Sequence, residues 1–414
     1  MPPSPSLHPM PPLAIRAYTA TTALGTGRDA QAAALRARRG GLRRNDFGDA
    51  APGIRLDTWI GRVDGLETMP LPAQWAQWEC RNNRLAWLAL QQDRILDAIA
   101  ALRERHGAGR VAIVLGTSTA SIGATEEAYA RLEDDGDKAS GGKVFPADLR
   151  RPSVHTPHSL GGFVQAATGL LGPCVTVATA CSSSAKVFAQ AARLIHAGIV
   201  DAALVGGVDT LCGSVLYGFN ALGLVSATPC RPFDAARDGL SLGEAGGFAV
   251  LERAAPGDTA LQLRGYGESS DAHHMSTPHP QGLGARLAMQ QALQRAGVAA
   301  GEVGYLNLHG TATPANDAVE ARAVAALFPG TLHAGSTKGW TGHTLGAAGI
   351  VESVFALLAL DLGLLPGTLN STGVDSACGP QVRFDNAERP LRYAMNNSFG
   401  FGGNNCSLLF GAAA

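Results

Sequence analysis

Two parts of the chain share one layout, in which a short apolar strand leads through a tight turn into a helix rich in alanine and glycine. In the first part, residues 174–178 read as the strand and residues 182–197 as the helix. In the second part, strands at 305–308 and 331–335 precede a small-residue helix at 344–360. Alternating strands and helices of this kind predict an α/β fold. The repeated layout predicts two similar fused halves, with a functional site where they meet.

The boundary between the halves is predicted near Ala255, where the run Ala-Ala-Pro-Gly-Asp interrupts the pattern. This divides the chain into an N-terminal half of residues 1–255, which would also carry inserted cap segments, and a C-terminal half of residues 256–414. Within the first half, helical periodicity over residues 84–105 predicts one long helix that stops at Gly107.

The bulk properties exclude several classes of protein. The chain has 414 residues, a net charge of −1 and a pI of about 6.8, so it lacks the basic excess of nucleic-acid-binding proteins. Its seven cysteines include no CxxC pair, which argues against a zinc site or a disulfide framework and favours a reducing compartment such as the cytoplasm. No apolar stretch is expected to span a bilayer without polar interruptions. The proline-rich residues 1–12 lack the features of a signal peptide and predict a flexible leader.

Cys181 is the candidate nucleophile. It follows the strand at 174–178 and opens the helix at 182–197, where the positive end of the helix dipole would lower the pKa of a thiol. A thiolate is the reactive form of cysteine in covalent catalysis. The alternative is that Cys181 is a small buried core residue, as cysteines often are.

Two histidines occupy comparable places in the second half. His309 ends one strand and precedes a turn, and His343 opens the small-residue helix in the way that Cys181 opens its own. Lys338 lies shortly before His343, and Glu352 lies within the helix that follows. A buried lysine needs a partner, so Glu352 is expected to pair with Lys338. Taken singly, a histidine in the place of His309 is more often structural than catalytic.

The segment 397–405, Asn-Ser-Phe-Gly-Phe-Gly-Gly-Asn-Asn, alternates glycine with phenylalanine. Backbone N–H groups in such a tight turn can stabilise an oxyanion. It is not a phosphate-binding Walker loop, because no Gly-Lys-Ser/Thr follows.

Five segments together resemble the β-ketoacyl-acyl carrier protein synthases of the elongating type, in the thiolase-fold superfamily. The resemblance extends from residue 13 to residue 410 and rests on Thr-Ala-Cys-Ser-Ser at 179–183, Pro-Phe-Asp with Arg-Asp-Gly at 232–239, His-Gly-Thr-Ala-Thr-Pro-Ala-Asn-Asp at 309–317, and the segments 338–349 and 397–404. It implies a thiolase-like fold in which the two α/β halves form a layered α-β-α-β-α sandwich.

The resemblance also implies roles for individual residues. Cys181 would take the acyl group as a thioester, and His309 and His343 would assist decarboxylation of the malonyl thioester and stabilise the resulting enolate. Lys338, with Glu352, would organise His343 electrostatically. Further implied roles are an oxyanion hole from the backbone N–H groups of Cys181 and Phe401, a gate formed by Phe401, and hydrogen bonds to the phosphopantetheine arm from Thr311 and Thr313.

The implied reaction needs no cofactor and no metal, because both substrates arrive on acyl carrier protein. The product would be a β-ketoacyl chain longer by two carbons, in fatty-acid, polyene or polyketide biosynthesis. The family likeness implies a dimer, either of identical chains or with a related synthase-like subunit. A basic cluster is a candidate docking patch for the acidic carrier protein, with a solvated helix end as the alternative; its members are Arg38, Arg39, Arg43 and Arg44.

Several segments depart from the usual family pattern. Residues 221–231 form a shorter loop than that of ordinary fatty-acid enzymes, residues 242–247 vary the order of small residues, and Trp340 replaces a smaller side chain. With residues 80–84 and 116–119, these features look more like synthases of specialised polyene pathways, such as aryl polyene pigments. Packing beneath the site is the favoured interpretation of Trp340, and reshaping of the acyl or carrier-arm passage is the alternative.

Two other functions stay open at this point. One is a non-catalytic partner subunit that sets chain length, although such relatives usually lack the nucleophile that Cys181 would supply. The other is a degradative thiolase, although a thiolase would have a second cysteine at the position of His343.

Overall fold

The computed structural model describes residues 8–51, 54–136 and 142–412. Within them the strands are β1 Leu13–Thr22, β2 Gly25–Thr26, β3 Leu42–Arg44, β4 Asp49–Ala51, β5 Ile54–Arg55, β6 Trp59–Gly61, β7 Val111–Gly116, β8 Glu133–Asp134, β9 Lys143–Val144, β10 Cys174–Val177, β11 Ala202–Asp209, β12 Leu242–Gly243, β13 Ala245–Arg253, β14 Gln262–Ser270, β15 Val303–Asn307, β16 His333–Gly335, β17 Leu364–Leu365, β18 Ala387–Glu388, β19 Tyr393–Gly400 and β20 Asn404–Gly411. The α-helices are α1 Gly27–Arg36, α2 Arg81–Leu90, α3 Ile95–His106, α4 Ile122–Ala130, α5 Ser159–Thr168, α6 Ser183–His196, α7 Gly213–Ala221, α8 Leu283–Ala296, α9 Pro314–Ala325, α10 Lys338–Thr341 and α11 Ala348–Leu362.

The main sheet repeats one five-stranded arrangement. Its order is β10-β7-β11-β13-β1-β14-β20-β19-β15-β16, with β2 paired to β1. From one end, β10, β7 and β11 are parallel and β13 and β1 are antiparallel to their neighbours. From the other end, β16, β15 and β19 are parallel and β20 and β14 are antiparallel. The halves join where Leu13 and Ala14 of β1 pair with β14. The prediction of two similar fused halves is confirmed.

Helices form three layers around the two halves. In the middle, α6 packs against β7 and β11 of the first half and β14 and β20 of the second, and α11 packs against β1, β13 and β19. On the outer faces, α2, α3 and α5 cover the first half and α8 covers the second, with α9 packed on α8. This is the predicted α-β-α-β-α sandwich. The chain passes from one half to the other through residues 254–261, between β13 and β14; the division at residue 255 stays a prediction.

Small residues explain how the two central helices come so close. A Cβ added to Gly349 of α11 would lie 2.3 Å from the backbone nitrogen of Ala185 in α6. A Cβ on Gly116 of β7 would lie 2.4 Å from the nitrogen of Ser184, also in α6. Such contacts admit only glycine, because no side-chain carbon fits. The alanine and glycine content of these helices therefore sets the spacing of the layers that carry the site.

Three sequence predictions need correction. The helix predicted over residues 84–105 is two helices, α2 and α3, because Asp93 and Arg94 adopt positive φ angles of 49° and 59°. The leader predicted over residues 1–12 is held where it enters the described chain, since the Met10 N–H donates to the carbonyl of Arg295 at 2.7 Å; residues 1–7 lie outside the described residues. The helical stretch Leu345–Leu362 is long and apolar enough to cross a membrane, but 83% of it is buried inside the protein as the central core helix.

Glu252, at the end of β13, ties the first strand to the outer helices. It accepts hydrogen bonds from Arg16, Arg105 and His106. Burial alone would raise the pKa of Glu252, but these hydrogen bonds outweigh burial and lower the pKa to about 2. The ionised carboxylate therefore stabilises the folded chain above the unfolded-state pKa of 4.5, and this stabilisation is lost as the pH falls through about 2.

Replacing Glu252 by glutamine is expected to lower the free energy of unfolding at pH 7 by about 1 to 3 kcal/mol. The deficit relative to the wild type should shrink between pH 4.5 and pH 2, because the wild-type carboxylate then takes up its proton. Urea unfolding at pH 7 and pH 3 measures both values. Glu388→Gln, in an exposed ion pair with Arg36, is the control and should change stability little. A deficit of the same size at both pH values would contradict the assignment.

Candidate active site

Cys181, His309 and His343 meet in one cavity of about 380 Å³. Cys181 precedes α6, His309 follows β15, and His343 lies between α10 and α11, so both halves contribute. All three side chains are buried, with exposures of 6%, 2% and 2%. One wall is apolar and is formed by Phe219, Leu224, Leu240, Phe399 and Phe401. The sequence prediction that these three residues come together is confirmed.

The turn before α6 presents Cys181 through a strained backbone. Ala180 has a φ of 52°, in the left-handed region that a side chain disfavours. Hydroxyl groups hold this turn: Ser183 Oγ donates to the carbonyl of Ala180 at 2.5 Å and accepts from the Thr179 N–H at 2.9 Å. The sequence placed Cys181 in the first turn of the helix, but α6 begins at Ser183 with Ser182 as its N-cap. Cys181 therefore lies just outside the helix.

The electrostatic environment of Cys181 also differs from the expectation. Burial raises the pKa of the thiol to about 12, and the nearby charge of Lys338 lowers it only in part. The helix terminus was expected to give a lowered pKa and a ready thiolate. The buried environment therefore favours the neutral thiol over the thiolate.

The hydrogen bonds of the two histidines define their tautomers. The His309 and His343 rings stand edge to face, with centroids 5.5 Å apart. His343 Nδ1 accepts from the Leu345 N–H at 3.2 Å, and His309 Nδ1 lies 3.3 Å from Nζ of Lys338, a group that only donates. Both rings thus carry their proton on Nε2. Burial and the charge of Lys338 lower the pKa of each histidine well below 6.5, so both are neutral donors.

Lys338 bridges His309 and Glu352. Its ammonium donates to the carbonyl of His309 and to Oε1 of Glu352, and it is 1% exposed. The predicted Lys338–Glu352 pair is confirmed. Lys338 was expected to act on His343, whereas its hydrogen bonds go to His309 and only its charge reaches His343. Burial raises the pKa of Glu352, and the Lys338 charge works against that rise.

Two acidic residues to which the sequence analysis assigned no role, Glu320 and Asp317, support the turn after His309. Glu320 accepts the N–H groups of His309 and Gly310 at 2.8 Å each, and the amide of Asn397 at 3.1 Å. Asp317 accepts the N–H of Ala312 at 3.2 Å. Both are buried on α9. Two acidic residues three apart, and therefore on one face of the helix after the His309 motif, were the signal available in the sequence.

Thr311 and Thr313 line the same cavity, with their hydroxyl oxygens 2.8 Å apart. Next to them, Pro314 and Ala315 are exposed and also line the cavity, so this is the side that opens to solvent. The location suits residues that would hold a substrate arm, and that role stays a prediction.

The glycine-rich turn between β19 and β20 closes the site. Gly402 and Gly403 have φ angles of 78° and 73°, and the Gly402 N–H donates to the carbonyl of Met275 at 2.7 Å. Phe401 stacks on Phe219 with a centroid distance of 5.8 Å and an interplanar angle of 22°. Phe401 is thus part of the cavity wall, as the proposed gate would be.

Gly400 brings this turn against the nucleophile. A Cβ at Gly400 would lie 2.7 Å from the carbonyl oxygen of Thr179 and 3.2 Å from the backbone nitrogen of Cys181. The oxyanion hole predicted for the N–H groups of Cys181 and Phe401 requires this close approach.

Gly400→Ala is therefore expected to lower the rate of Cys181 acylation by at least about 10²-fold, the usual cost of losing one oxyanion donor. Acylation can be followed as the mass gain of the intact protein. Gly301→Ala is the matched control, because a Cβ at Gly301 meets nothing within 4 Å. Acylation of Gly400→Ala at the wild-type rate would show that the glycine turn does not assist Cys181.

Other predicted residues lie away from the cavity. Trp340 is fully buried in the central core and donates from Nε1 to the carbonyl of Gly367 at 3.0 Å, so the packing interpretation is confirmed. None of the four cluster arginines lines the cavity. Arg43 pairs with Asp64 at 2.7 Å, Arg44 pairs with Asp57, and Arg38 lies 3.8 Å from Asp385, so acidic neighbours offset part of the charge of these three arginines. Among the described residues, no cluster of three or more His, Cys, Asp or Glu side chains could hold a metal ion.

A buried thiol facing two neutral imidazoles across the junction of two fused α/β halves defines a condensing acyltransferase of the thiolase fold. The chain belongs to the β-ketoacyl synthase family. Residues 83–256 match the family's N-terminal domain and residues 261–372 match its C-terminal domain.

Relatives and solved structures agree with this placement. The chain is 33% identical over 323 residues to 3-oxoacyl-acyl-carrier-protein synthase 2 of Vibrio cholerae, an alignment that covers 74% of this chain and 76% of the relative. It is 40% identical over 275 residues to the mitochondrial 3-oxoacyl-acyl-carrier-protein synthase of Arabidopsis thaliana, covering 60% of this chain and 58% of the relative. A ketosynthase in complex with its chain length factor from Xenorhabdus doucetiae superposes with a TM-score of 0.87 and 34% identity, covering 97% and 98% of the two chains.

Proposed function

We propose that this protein is an elongating β-ketoacyl-acyl carrier protein synthase that condenses an acyl group on Cys181 with malonyl-acyl carrier protein. The observation that carries this proposal is the meeting of the Cys181 thiol with two neutral imidazoles, His309 and His343, in one buried cavity. Each imidazole can donate its Nε2–H to the negatively charged oxygen that develops during the reaction. The chemistry needs no cofactor, because the thioesters activate both substrates.

In the first half-reaction, the Cys181 sulfur attacks the carbonyl carbon of the acyl thioester. The tetrahedral oxyanion lies between the N–H groups of Cys181 and Phe401, which cost no reorganisation when they receive the charge. Collapse expels the carrier thiolate, which takes the proton that Cys181 gives up. The apolar wall with Phe219 and Leu240 excludes water, so the acyl thioester on Cys181 survives until the second substrate arrives.

In the second half-reaction, the malonyl thioester binds with its carbonyl oxygen near His309 and His343. Loss of carbon dioxide leaves an enolate, and donation from the two Nε2–H groups stabilises its negative oxygen. The enolate carbon attacks the acyl-Cys181 carbonyl and forms the new carbon–carbon bond. Collapse expels the Cys181 thiolate, which takes up a proton from solvent, and leaves a β-ketoacyl chain longer by two carbons on the carrier protein. Lys338 holds the proton of His309 on Nε2 throughout.

Incubation with a panel of acyl-acyl carrier proteins, with and without malonyl-acyl carrier protein, tests the function by intact mass. The expected result is an acyl adduct that malonyl-acyl carrier protein discharges as a product longer by two carbons. No adduct with any donor, from a folded protein that keeps Cys181, would favour the alternative of a chain-length-determining partner subunit. That alternative is motivated by the solved complex of a ketosynthase with its chain length factor.

The same panel addresses the pathway. We propose that the chain serves a specialised polyene pathway of the aryl polyene kind, on the strength of the departures at residues 221–231, 242–247 and 80–84. Discharge that is faster from polyunsaturated than from saturated acyl donors supports this pathway. Equal or faster discharge from saturated donors would point to ordinary fatty-acid synthesis.

We further propose that the protein works as a dimer through β10. This strand forms one end of the main sheet and its residues are only half-buried. An open strand edge is a template for pairing with another chain. Exposed apolar side chains stand in the same half, with Leu171 at 73% and Tyr129 at 63%. Native mass of the protein alone distinguishes a dimer of identical chains from a subunit that needs a related mate.

Carrier docking by Arg38, Arg39, Arg43 and Arg44 is retained as a proposal. Charge reversal of all four is expected to weaken carrier-protein binding, measured by titration at low salt, because surface charges steer acidic partners. Unchanged affinity would assign these arginines only to their local pairs, such as Arg43 with Asp64.

The seven described cysteines are free, and we propose that the protein resides in a reducing compartment such as the cytoplasm.

A further inference from the structure

Asp209 is a buried carboxylate close to the site that the proposed chemistry does not use. It ends β11, its exposure is 0%, and its negative charge is felt by the thiol of Cys181. Its hydrogen-bond partners are hydroxyl and backbone N–H groups, with no arginine or lysine among them in the described part of the chain. A carboxylate in such a place must be stabilised by other contacts, because burial of an unpaired charge is costly.

Hydrogen-bond donors from two loops satisfy Asp209. From the loop after β7 it accepts the hydroxyl of Thr117 at 2.5 Å, the Ser118 N–H at 2.8 Å, and both the N–H and the hydroxyl of Thr119, at 3.0 and 2.8 Å. From the other half of the molecule it accepts the Gly346 N–H at 2.6 Å. Burial raises the pKa of Asp209, and these donors act against that rise because they favour the ionised carboxylate.

The bond to Gly346 fixes the turn that follows His343. Leu345, between them, has a φ of 56°, in the left-handed region that leucine disfavours. In this conformation the Leu345 N–H points to His343 Nδ1 at 3.2 Å. The approach at Gly346 is close, since a Cβ there would lie 2.6 Å from Asp209 Oδ2 and 2.6 Å from the Ser118 nitrogen. Asp209 thus holds the peptide that places the Leu345 N–H.

We propose that Asp209 is a positioning residue for His343: by binding the Gly346 N–H, it holds Leu345 in the conformation that keeps the His343 proton on Nε2. This inference rests on the proposed function and deepens it, since it names the group that sets the tautomer of one of the two enolate-binding histidines. Asp209 belongs to the first half and His343 to the second, so the contact also couples the halves at the site.

The other charged and titratable groups around His343 do not donate the hydrogen bond that holds its proton on Nε2. His309 faces its ring across the cavity, Cys181 lines the same cavity, and Lys338 acts on it only through its charge, with Glu352 behind the lysine. Of these groups, Lys338 is the one whose charge, together with burial, lowers the pKa of His343. The Leu345 N–H is the hydrogen-bond donor to Nδ1, and Asp209 is the side chain bonded to the adjacent peptide.

Asp209→Asn tests the proposal because it keeps the shape of the side chain and removes the charge. The rate of malonyl decarboxylation is expected to fall by about 10- to 100-fold, by analogy with the loss seen when an outer partner of a metal-ligating histidine is removed. The acid limb of the pH profile of decarboxylation should move up by about one pH unit. Once His343 Nδ1 no longer accepts the Leu345 N–H, it can take up a proton at a pH nearer the ordinary histidine pKa. Acylation of Cys181, which does not use His343, should fall much less.

Asp93→Asn is the matched control, since Asp93 also accepts a backbone N–H and a threonine hydroxyl but lines no part of the cavity. It should leave the decarboxylation rate and its acid limb unchanged. A crystal structure of Asp209→Asn gives a readout independent of activity: the distance from the Leu345 nitrogen to His343 Nδ1 should increase beyond hydrogen-bonding range. If the wild type is folded but inactive, the proposed function fails while this structural test still stands.

Wild-type decarboxylation and an unmoved acid limb in a folded Asp209→Asn protein would overturn the proposal. So would an equal loss of acylation and decarboxylation without a shift of the acid limb, because that outcome indicates a structural role alone. If Asp209→Asn does not fold, Thr119→Val removes only the 2.8 Å hydroxyl bond to Asp209. It should shift the acid limb in the same direction by less, and an unmoved limb in this variant would also overturn the proposal.

Discussion

Cys181→Ala is expected to abolish the acyl adduct and to lower condensation by at least about 10³-fold, because the covalent route is lost entirely. The cavity would otherwise be intact, since Cys181 is small and its turn is held by Ser183 and Thr179. The variant should therefore keep its thermal stability close to that of the wild type. Intact mass after incubation with acyl-acyl carrier protein measures the adduct, and product mass measures condensation.

Cys378→Ala is the control for this experiment. Cys378 is a partly exposed free cysteine outside the cavity lining, as Cys174 also is, so it is a thiol that a reactive donor can modify non-specifically. Its replacement should leave both adduct and product unchanged. An adduct that persists in Cys181→Ala but disappears in Cys378→Ala would show that the nucleophile has been assigned to the wrong cysteine.

Lys338→Met is expected to have the second largest effect, on both stability and activity. It leaves Glu352, 3% exposed, as an uncompensated buried carboxylate, and loss of one partner of a buried pair costs about 3–5 kcal/mol. It also removes the group that keeps the His309 proton on Nε2. Decarboxylation should therefore fall by at least about 100-fold even where the variant is folded. Urea unfolding and release of carbon dioxide from malonyl-acyl carrier protein measure the two effects.

A double variant separates the two roles of Lys338. Lys338→Met with Glu352→Gln removes both charges, so most of the lost stability should return. Activity should not return, since His309 still lacks the ammonium beside Nδ1. Lys143→Met, in an exposed pair with Asp134, is the control for losing a lysine and should change neither quantity. Recovery of decarboxylation in the double variant would mean that Lys338 serves only to neutralise Glu352.

The sequence was sufficient for the fold and for the three central residues of the site. Apolar strands and small-residue helices have strong local signals, and β7 and β11 are buried along their whole length, as continuous apolar runs predict. Cys181, His309 and His343 each follow such a strand or precede such a helix. Their convergence then follows from the symmetry of the two halves.

What the sequence could not supply were contacts between groups distant along the chain. Lys338 lies near His343 in sequence, but α10 turns its side chain toward the end of β15 and so toward His309. Asp209 reads as the polar end of an apolar strand, and only the folded chain brings it to Gly346, 137 positions away. The single helix predicted over residues 84–105 failed for the same reason. Asp93 breaks it by bonding to Thr19 and to the Arg28 N–H, which no local pattern encodes.

The position of β20 has a consequence for how the enzyme is made. Residues 404–411 form this strand, and it lies inside the sheet between β14 and β19. Domains generally fold as units once their chain is available, so the second half must wait for its last strand during synthesis. Until then the edges of β14 and β19 that pair with β20 are unpaired. The turn with Phe401 is also not held in place beside Cys181. A ribosome that stops before residue 404 would release a chain without an assembled site, so catalytic competence itself reports that translation reached this strand.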